Sequence, residues 1–441
     1  MFMENIRQKD LTGQIILKES SLIHERCYST RHKSGLPIYV IPKKLSTAYA
    51  LLATRYGSID NRFRLAGEST FAEVPDGIAH FLEHKMFENE NGEDTFARFA
   101  KTGANANAYT SFDLTAYLFS CTENFSESLE ILLDFVTHPY FTPETVQKEQ
   151  GIIAQELRMY EDNPSQTVFY NMLKAMYASH PVRINIGGTV ESISEITADI
   201  LYRCYRTFYH LSNMALFVSG DVSPETVIAA ADRILPDQAG VPLEIIRGYP
   251  AEAAAVSEEF VTASAQVARP LVSIGVKDTE ISANPRERMK KALTASIVND
   301  MLFGRTSALY ERLYESGLIN RKFGGSFSHN KSFSFLSLSA ETDQPTEVYK
   351  RVKDCALEAA VRPVSEEDFE RCKRVLYAGM VMTFESTEDI ANSYMEYAFD
   401  GGDLLDAVDT VPTLTAADAQ QVMRSLFKPE SFAVSVVEPL K

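Results

Sequence analysis

Two stretches of this chain, 218 residues apart, read alike. Residues 196–218 are ITADILYRCYRTFYHLSNMALFV and residues 414–436 are LTAADAQQVMRSLFKPESFAVSV. Aligned without a gap, Thr197, Ala198, Arg206, Ala215 and Val218 recur as Thr415, Ala416, Arg424, Ala433 and Val436, and the apolar positions mostly coincide. Each stretch reads as a helix, a turn and a strand. In a chain of 441 residues this puts the same unit at the end of each half, so the chain reads as two homologous domains, each large enough to enclose one core. The composition shifts between the halves: residues 235–259, LPDQAGVPLEIIRGYPAEAAAVSEE, hold three prolines and two glycines and read as a linker. The expected organisation is an N-terminal domain 1–235, a linker 236–259 and a C-terminal domain 260–441.

A second correspondence is chemically informative. AHFLEHKMF (79–87) lies over ASIVNDMLF (295–303), so that Ala79 and Phe87 recur as Ala295 and Phe303, while Ser296, Asn299 and Asp300 stand where His80, Glu83 and His84 stand in the first copy. The expectation is one active and one degenerate copy. Local patterns are mixed. Residues 34–43 and 46–57 read as a hairpin, 75–89 as a helix with Asp76 as its N-cap, 94–103 as a short helix closed by Gly103, and 111–120 as a strand by alternation. Paired strands followed by helices predict an α+β fold, each domain a mainly antiparallel sheet with helices packed on it.

Charge and composition exclude several classes. The net charge of -17 disfavours nucleic acid, which needs a basic face. No apolar run approaches the ~20 residues of a membrane span, and the start MFMENIRQKDLTGQ lacks the apolar core of a secretory signal. Cys27, Cys121, Cys204, Cys355 and Cys372 are scattered and odd in number, which reads as reduced thiols in a cytoplasmic protein.

Histidine is scarce, 8 in 441, yet His80 and His84 fall four apart and so share one helix face. They can offer two imidazole nitrogens to one ion. Catalytic zinc sites commonly use three protein ligands and keep one position open. Glu83 lies beside that face, too close in sequence to serve easily as the third ligand, and placed instead to act as a general base toward water. The order His-x-x-Glu-His is the inverzincin signature. A solvated helix turn is the plainer reading, and apolar Ile78, Phe81, Leu82, Met86 and Phe87 around it argue against it.

A third ligand must come from elsewhere. In 141–164, Thr142 reads as a cap, Pro143 as the first helical residue and Asn163-Pro164 as the stop. Val146, Ile153 and Tyr160 mark a buried stripe, and Glu149 and Glu156, also seven apart, share a face near it. Carboxylates near a buried face need a partner or a metal. Glu156 is the candidate third ligand, Glu149 a candidate to hold a ligand or assist the water, and Glu161 is off the face.

At these residues the sequence resembles the pitrilysin/insulinase family of zinc peptidases, in particular its short two-domain bacterial members related to mitochondrial processing peptidase. His80, Glu83 and His84 match the family's zinc motif, Glu149 and Glu156 its downstream pair, and Asn107, Ala108, Tyr109 and Thr110 its Asn-Ala-aromatic-Thr strand. The resemblance implies two α+β halves closing like a clamshell on a peptide chamber. It implies one zinc per chain on His80, His84 and Glu156, with Glu83 as catalytic base and Glu149 assisting. The strand 107–110 would pair with substrate backbone. The implied activity is that of a zinc endopeptidase on peptides or small unfolded chains. Active relatives carry an Arg and, seven residues later, a Tyr in the second half. Here, in LYESGLINRKF (313–323), Tyr314 stands where the Arg is expected and Asn320, six residues on, where the Tyr is expected, and neither Arg312 nor Arg321 restores the spacing. Losing such a transition-state donor typically costs ~10²–10³ in rate. The expectation is therefore a heterodimer with a paralogous subunit carrying the Arg/Tyr pair, with a homodimer or a non-catalytic scaffold subunit as the alternatives.

Overall fold

Seven strands run in the spatial order Ile16–Glu19, Arg26–Arg31, Pro37–Pro42, Met214–Gly220, Ala48–Thr54, Thr115–Cys121 and Asn105–Thr110. This sheet, in a computed structural model that describes residues 13–440, carries the first half of the chain. All pairings are antiparallel except Pro37–Pro42 with Met214–Gly220. The expected hairpin of 34–43 with 46–57 does not form, because Met214–Gly220 is inserted between its two strands. The reason lies in their composition. Ala48–Thr54 is buried at six of its seven positions, and a strand covered on both faces belongs in a sheet interior with a neighbour on each side.

Five strands form the second sheet, in the order Phe260–Ala265, Phe432–Pro439, Leu271–Lys277, Ser334–Glu341 and Gly324–His329. Again the only parallel pair is the first, Phe260–Ala265 with Phe432–Pro439. Strand for strand this repeats the last five positions of the first sheet. The sequence repeat has a local counterpart too. Thr197 caps the helix Ala198–Phe208 through the Ile200 N–H, and Thr415 caps Ala416–Leu426 through the Asp418 N–H. Each of these helices leads into a strand of its sheet's one parallel pair. The chain is thus an α+β protein with two homologous, mainly antiparallel sheets.

Compactness divides the chain differently from its sequence halves. One unit comprises residues up to Ala154, Ile186–Gly248 and Met382–Phe399; the other comprises Gln155–Asn185, Tyr249–Val381 and the residues from Asp400 onward. Each unit therefore holds a helix from the other half. Pro164–Met176 packs on the second sheet. Thr387–Asp400 lends Tyr394 to the first, with its ring 5.6 Å from Tyr39 and 6.3 Å from Phe217. Within 236–259, Ile245–Arg247 pairs with Arg62–Leu65 in a small third sheet. Further on, Glu252 accepts from the Ala178, Ser179 and His180 N–H groups and from the buried Lys277 Nζ. No helix of the described residues is long and apolar enough to cross a membrane.

Candidate metal centre

The helix Ile78–Lys85 buries Ile78, Ala79, Phe81 and Leu82, and that apolar face sets the direction of His80 and His84. Its start is set by backbone contact. The N-cap is Gly77, in the left-handed region at φ 86° with no side-chain cap. The expected cap, Asp76, instead accepts from Asn61 Nδ2 at 2.9 Å. A Cβ on Gly77 would lie 2.2 Å from the Gly187 carbonyl oxygen, so only glycine fits where these two segments cross.

The partner helix, Pro143–Glu161, begins as expected: Thr142 Oγ1 accepts from the Thr145 N–H. Asn163 then caps the next helix through Ser165. Val146, Ile153 and Leu157 are buried, whereas Tyr160 is 38% exposed and does not belong to the stripe expected of it. A 3.6-residue period drifts off a strict seven-residue repeat, which hands the buried position to Leu157. Glu149, 8% exposed, and the half-buried Glu156 lie beside this stripe.

These two helices bring His80, His84 and Glu156 together, with one ligand atom from each within 4.8 Å of the others. It is the one such metal-capable group of His, Cys, Asp and Glu among the described residues. Ligand atoms ~2.0–2.2 Å from a tetrahedral zinc lie about 3.4 Å apart, so small side-chain rotations close the set on an ion. The imidazole rings are 4.7 Å apart and steeply inclined. His84 Nδ1 is 3.0 Å from Glu149 Oε1. A carboxylate there accepts a hydrogen bond from Nδ1–H, which keeps the proton on Nδ1 and leaves the Nε2 lone pair for a metal. Two imidazoles and a carboxylate, with one imidazole oriented by a second carboxylate, form the donor set that catalytic zinc sites use.

Glu83 is 8% exposed and accepts a hydrogen bond from Thr110 Oγ1 at 2.6 Å. Thr110 ends the strand Asn105–Thr110, which lies at the sheet margin and pairs on one side only, with Thr115–Cys121. Asn107, Ala108, Tyr109 and Thr110 all fall on this edge. The Asn107 side chain accepts from the Ala108 N–H, and Tyr109 OH donates to Asn392 Oδ1 at 2.7 Å. The sequence marks Thr110 only as part of a strand motif. Its contact with Glu83 carries no local signal, since it joins a strand end to a helix 27 residues earlier. In the second copy, Asn299 sits near the end of the helix Pro285–Phe303 and donates to the Gly325 carbonyl of the edge strand Gly324–His329. The places of the Arg/Tyr pair hold Tyr314, 43% exposed, and Asn320, which donates to Glu341 Oε2.

Comparison with known proteins names the class. A family model described as Insulinase (Peptidase family M16) matches residues 70–190, and one described as Peptidase M16 inactive domain matches residues 195–376. A Bacillus subtilis (strain 168) protein named Uncharacterized zinc protease YmfH is 40% identical over 426 residues, covering 96% of this chain and 98% of its own. The beta subunit of mitochondrial-processing peptidase from Caenorhabditis elegans is 28% identical over 172 residues, 38% of each chain. Among solved structures, an M16-like peptidase from Alicyclobacillus acidocaldarius superposes with TM-score 0.89 at 32% identity, covering 98% of this chain and 100% of that one. Pitrilysin shares the fold at TM-score 0.74 and 14% identity over 96% of this chain and 46% of its own. The chain belongs to the insulinase family of peptidases, family M16.

Proposed function

We propose that this protein is a zinc-dependent endopeptidase acting on peptides or small unfolded chains. The observation that carries this reading is the convergence of His80, His84 and Glu156 from two helices beside the buried Glu83. These three residues would hold one zinc ion per chain. When bound, zinc supplies a Lewis acid for the scissile carbonyl and lowers the pKa of water toward ~7. The remaining steps fall to the chain itself. Glu83, held by Thr110 Oγ1, takes the proton of the attacking water and delivers it to the leaving amine. Glu149 orients His84. The outer edge of Asn105–Thr110, with Asn107, Ala108, Tyr109 and Thr110, adds the substrate backbone as a further strand.

The absence of an Arg/Tyr pair at 314 and 320 favours a paralogous partner subunit that supplies it. A homodimer of this chain could not. If no partner restores turnover, the scaffold reading follows. The cysteines are all free, which fits the reducing cytoplasm. The test is cleavage of a quenched-fluorescent peptide library by the metal-loaded chain, alone and with any co-purified partner, before and after chelation. Chelator-sensitive internal cleavage is expected, faster with the partner. No cleavage under any of these conditions would overturn the assignment.

A further inference from the structure

Three stripes run along the helix Pro143–Glu161. Val146, Ile153 and Leu157 face the core. Glu149 and Glu156 come next around the helix. Beyond them, on the flank away from the core, Ile152 and Met159 are 45% and 69% exposed. They are seven residues apart, four before and three after Glu156, so both share a face with that carboxylate. Two large aliphatic side chains left in water beside a metal ligand are not explained by the packing of this helix.

The second half carries an independent copy of the pattern. The helix Glu366–Thr383 takes the place of Pro143–Glu161 at a constant offset of 223 residues. Three features fix the register. Ser365 Oγ accepts from Asp368 N–H as Thr142 Oγ1 does from Thr145, and Ser386 Oγ accepts from Asp389 N–H where Asn163 caps the following helix. The buried Phe369 and Met380 replace Val146 and Leu157. At this register Glu149 becomes Cys372 and Glu156 becomes Gly379, so the carboxylates are gone. The exposed pair is kept: Ile152 becomes Val375, 57% exposed, and Met159 becomes Met382, 69% exposed. The apolar pair therefore serves something other than the metal, and serves it in both copies.

We propose that Ile152 and Met159 form a binding surface for large apolar side chains of an extended substrate, immediately flanking the metal ligand Glu156, and that Val375 and Met382 form a second such surface. The substrate class is an unfolded chain rich in aliphatic residues. The two positions of a stripe lie ~10.5 Å apart along the helix axis, the span of about three residues of extended chain. Glu156 falls between them, so a substrate whose reacting carbonyl meets the metal would present side chains to both. The pair also exposes only on the order of 200 Å², against the ~800 Å² per partner of a stable protein interface, which favours a transient peptide over a permanent subunit contact. The proposal rests on the peptidase reading for the identity of the occupant.

The test uses the full-length, metal-loaded chain carrying Glu83→Gln, which holds substrate without turnover. Fluorescence anisotropy compares a labelled Leu-rich decapeptide with the same peptide carrying Ser at the Leu positions. The expected preference for the Leu peptide is about tenfold or more. Ile152→Ser with Met159→Ser, and separately Val375→Ser with Met382→Ser, should each cut that preference by about threefold to tenfold while metal content and melting temperature stay unchanged. Equal binding of the two peptides, or a preference unaltered by both pairs of substitutions, overturns the proposal. So does a change in sedimentation behaviour with the preference intact, which would make the stripes subunit contacts. Hydrolysis of the Leu peptide by the unsubstituted chain is scored separately. A kept and stripe-dependent preference without any hydrolysis, either by the chain alone or with its co-purified partner, supports the surface and sinks the peptidase reading.

Discussion

The two halves share strand order, one parallel pair among otherwise antiparallel strands, and Thr-capped helices at matching places. Among the described residues, only one half gathers side chains that could hold a metal ion. In the first, helix faces bring His80, His84 and Glu156 together. In the second, the corresponding places hold Ser296, Asp300 and Gly379. Asn299 there ties its helix to the edge-strand carbonyl of Gly325, where Glu83 in the first copy accepts from Thr110. The fold is thus maintained by caps and strand burial common to both halves, while the metal-capable side chains are a handful that can be exchanged without losing it.

Substitutions in matched pairs can break this contrast. The largest effect belongs to the base. Glu83→Gln should lower kcat by about a thousandfold, within the usual range for a lost general base, with zinc content by atomic absorption unchanged. Asn299→Ala in the second copy should lower stability and leave zinc content as it is. A wild-type rate in Glu83→Gln would remove the asymmetry of roles.

Helix starts come next. Gly77→Ala forces a Cβ against the Gly187 carbonyl at a positive φ and should cost about 3 kcal/mol in urea denaturation, a strained left-handed residue plus a backbone clash. The helix Pro285–Phe303 starts instead from Asn284, whose side chain accepts from Arg286 N–H. Asn284→Ala should therefore cost only about 1 kcal/mol. Equal costs would mean that the Gly77 contact is relieved by movement.

The second unit should also respond to acid. His180 is 2% exposed, and burial, partly opposed by Glu252, lowers its pKa to about 4. The unfolded imidazole protonates near 6.5, so this residue favours folding fully above that pH and progressively less as pH falls toward 4. Between pH 7 and pH 5 the chelated protein should lose about 2 kcal/mol from this source. His180→Asn, which does not titrate, should flatten that part of the curve when urea midpoints are compared. An unchanged slope would place the acid sensitivity elsewhere.

The smallest effect tests the orientation of His84. Glu149→Gln should weaken zinc affinity by about tenfold in a competition titration, the usual scale for a lost partner behind a ligand. Cys372→Ser, its counterpart, should leave affinity unchanged.

Much of this was legible in the residues. Spacing alone put His80 and His84 on one face and Glu149 with Glu156 on another, because helical periodicity is a local property. The repeat of 196–218 in 414–436 likewise announced two related units. What stayed hidden depends on partners distant in sequence. Strand order is one case: nothing in 34–57 says that Met214–Gly220 will enter between two strands that look like a hairpin. The displacement of Asp76 by Gly77 as cap depends on the crossing with Gly187. Thr110 meets Glu83 only once the edge strand docks beside the helix.

The account's central claim is that one divalent ion binds where the two helices of the first half meet. Anomalous diffraction at the zinc edge from crystals of the zinc-loaded chain tests it most directly. One peak per chain is expected, within about 2.2 Å of His80, His84 and Glu156 and accompanied by no peak in the second half. A peak elsewhere, or none on those three side chains, would contradict it.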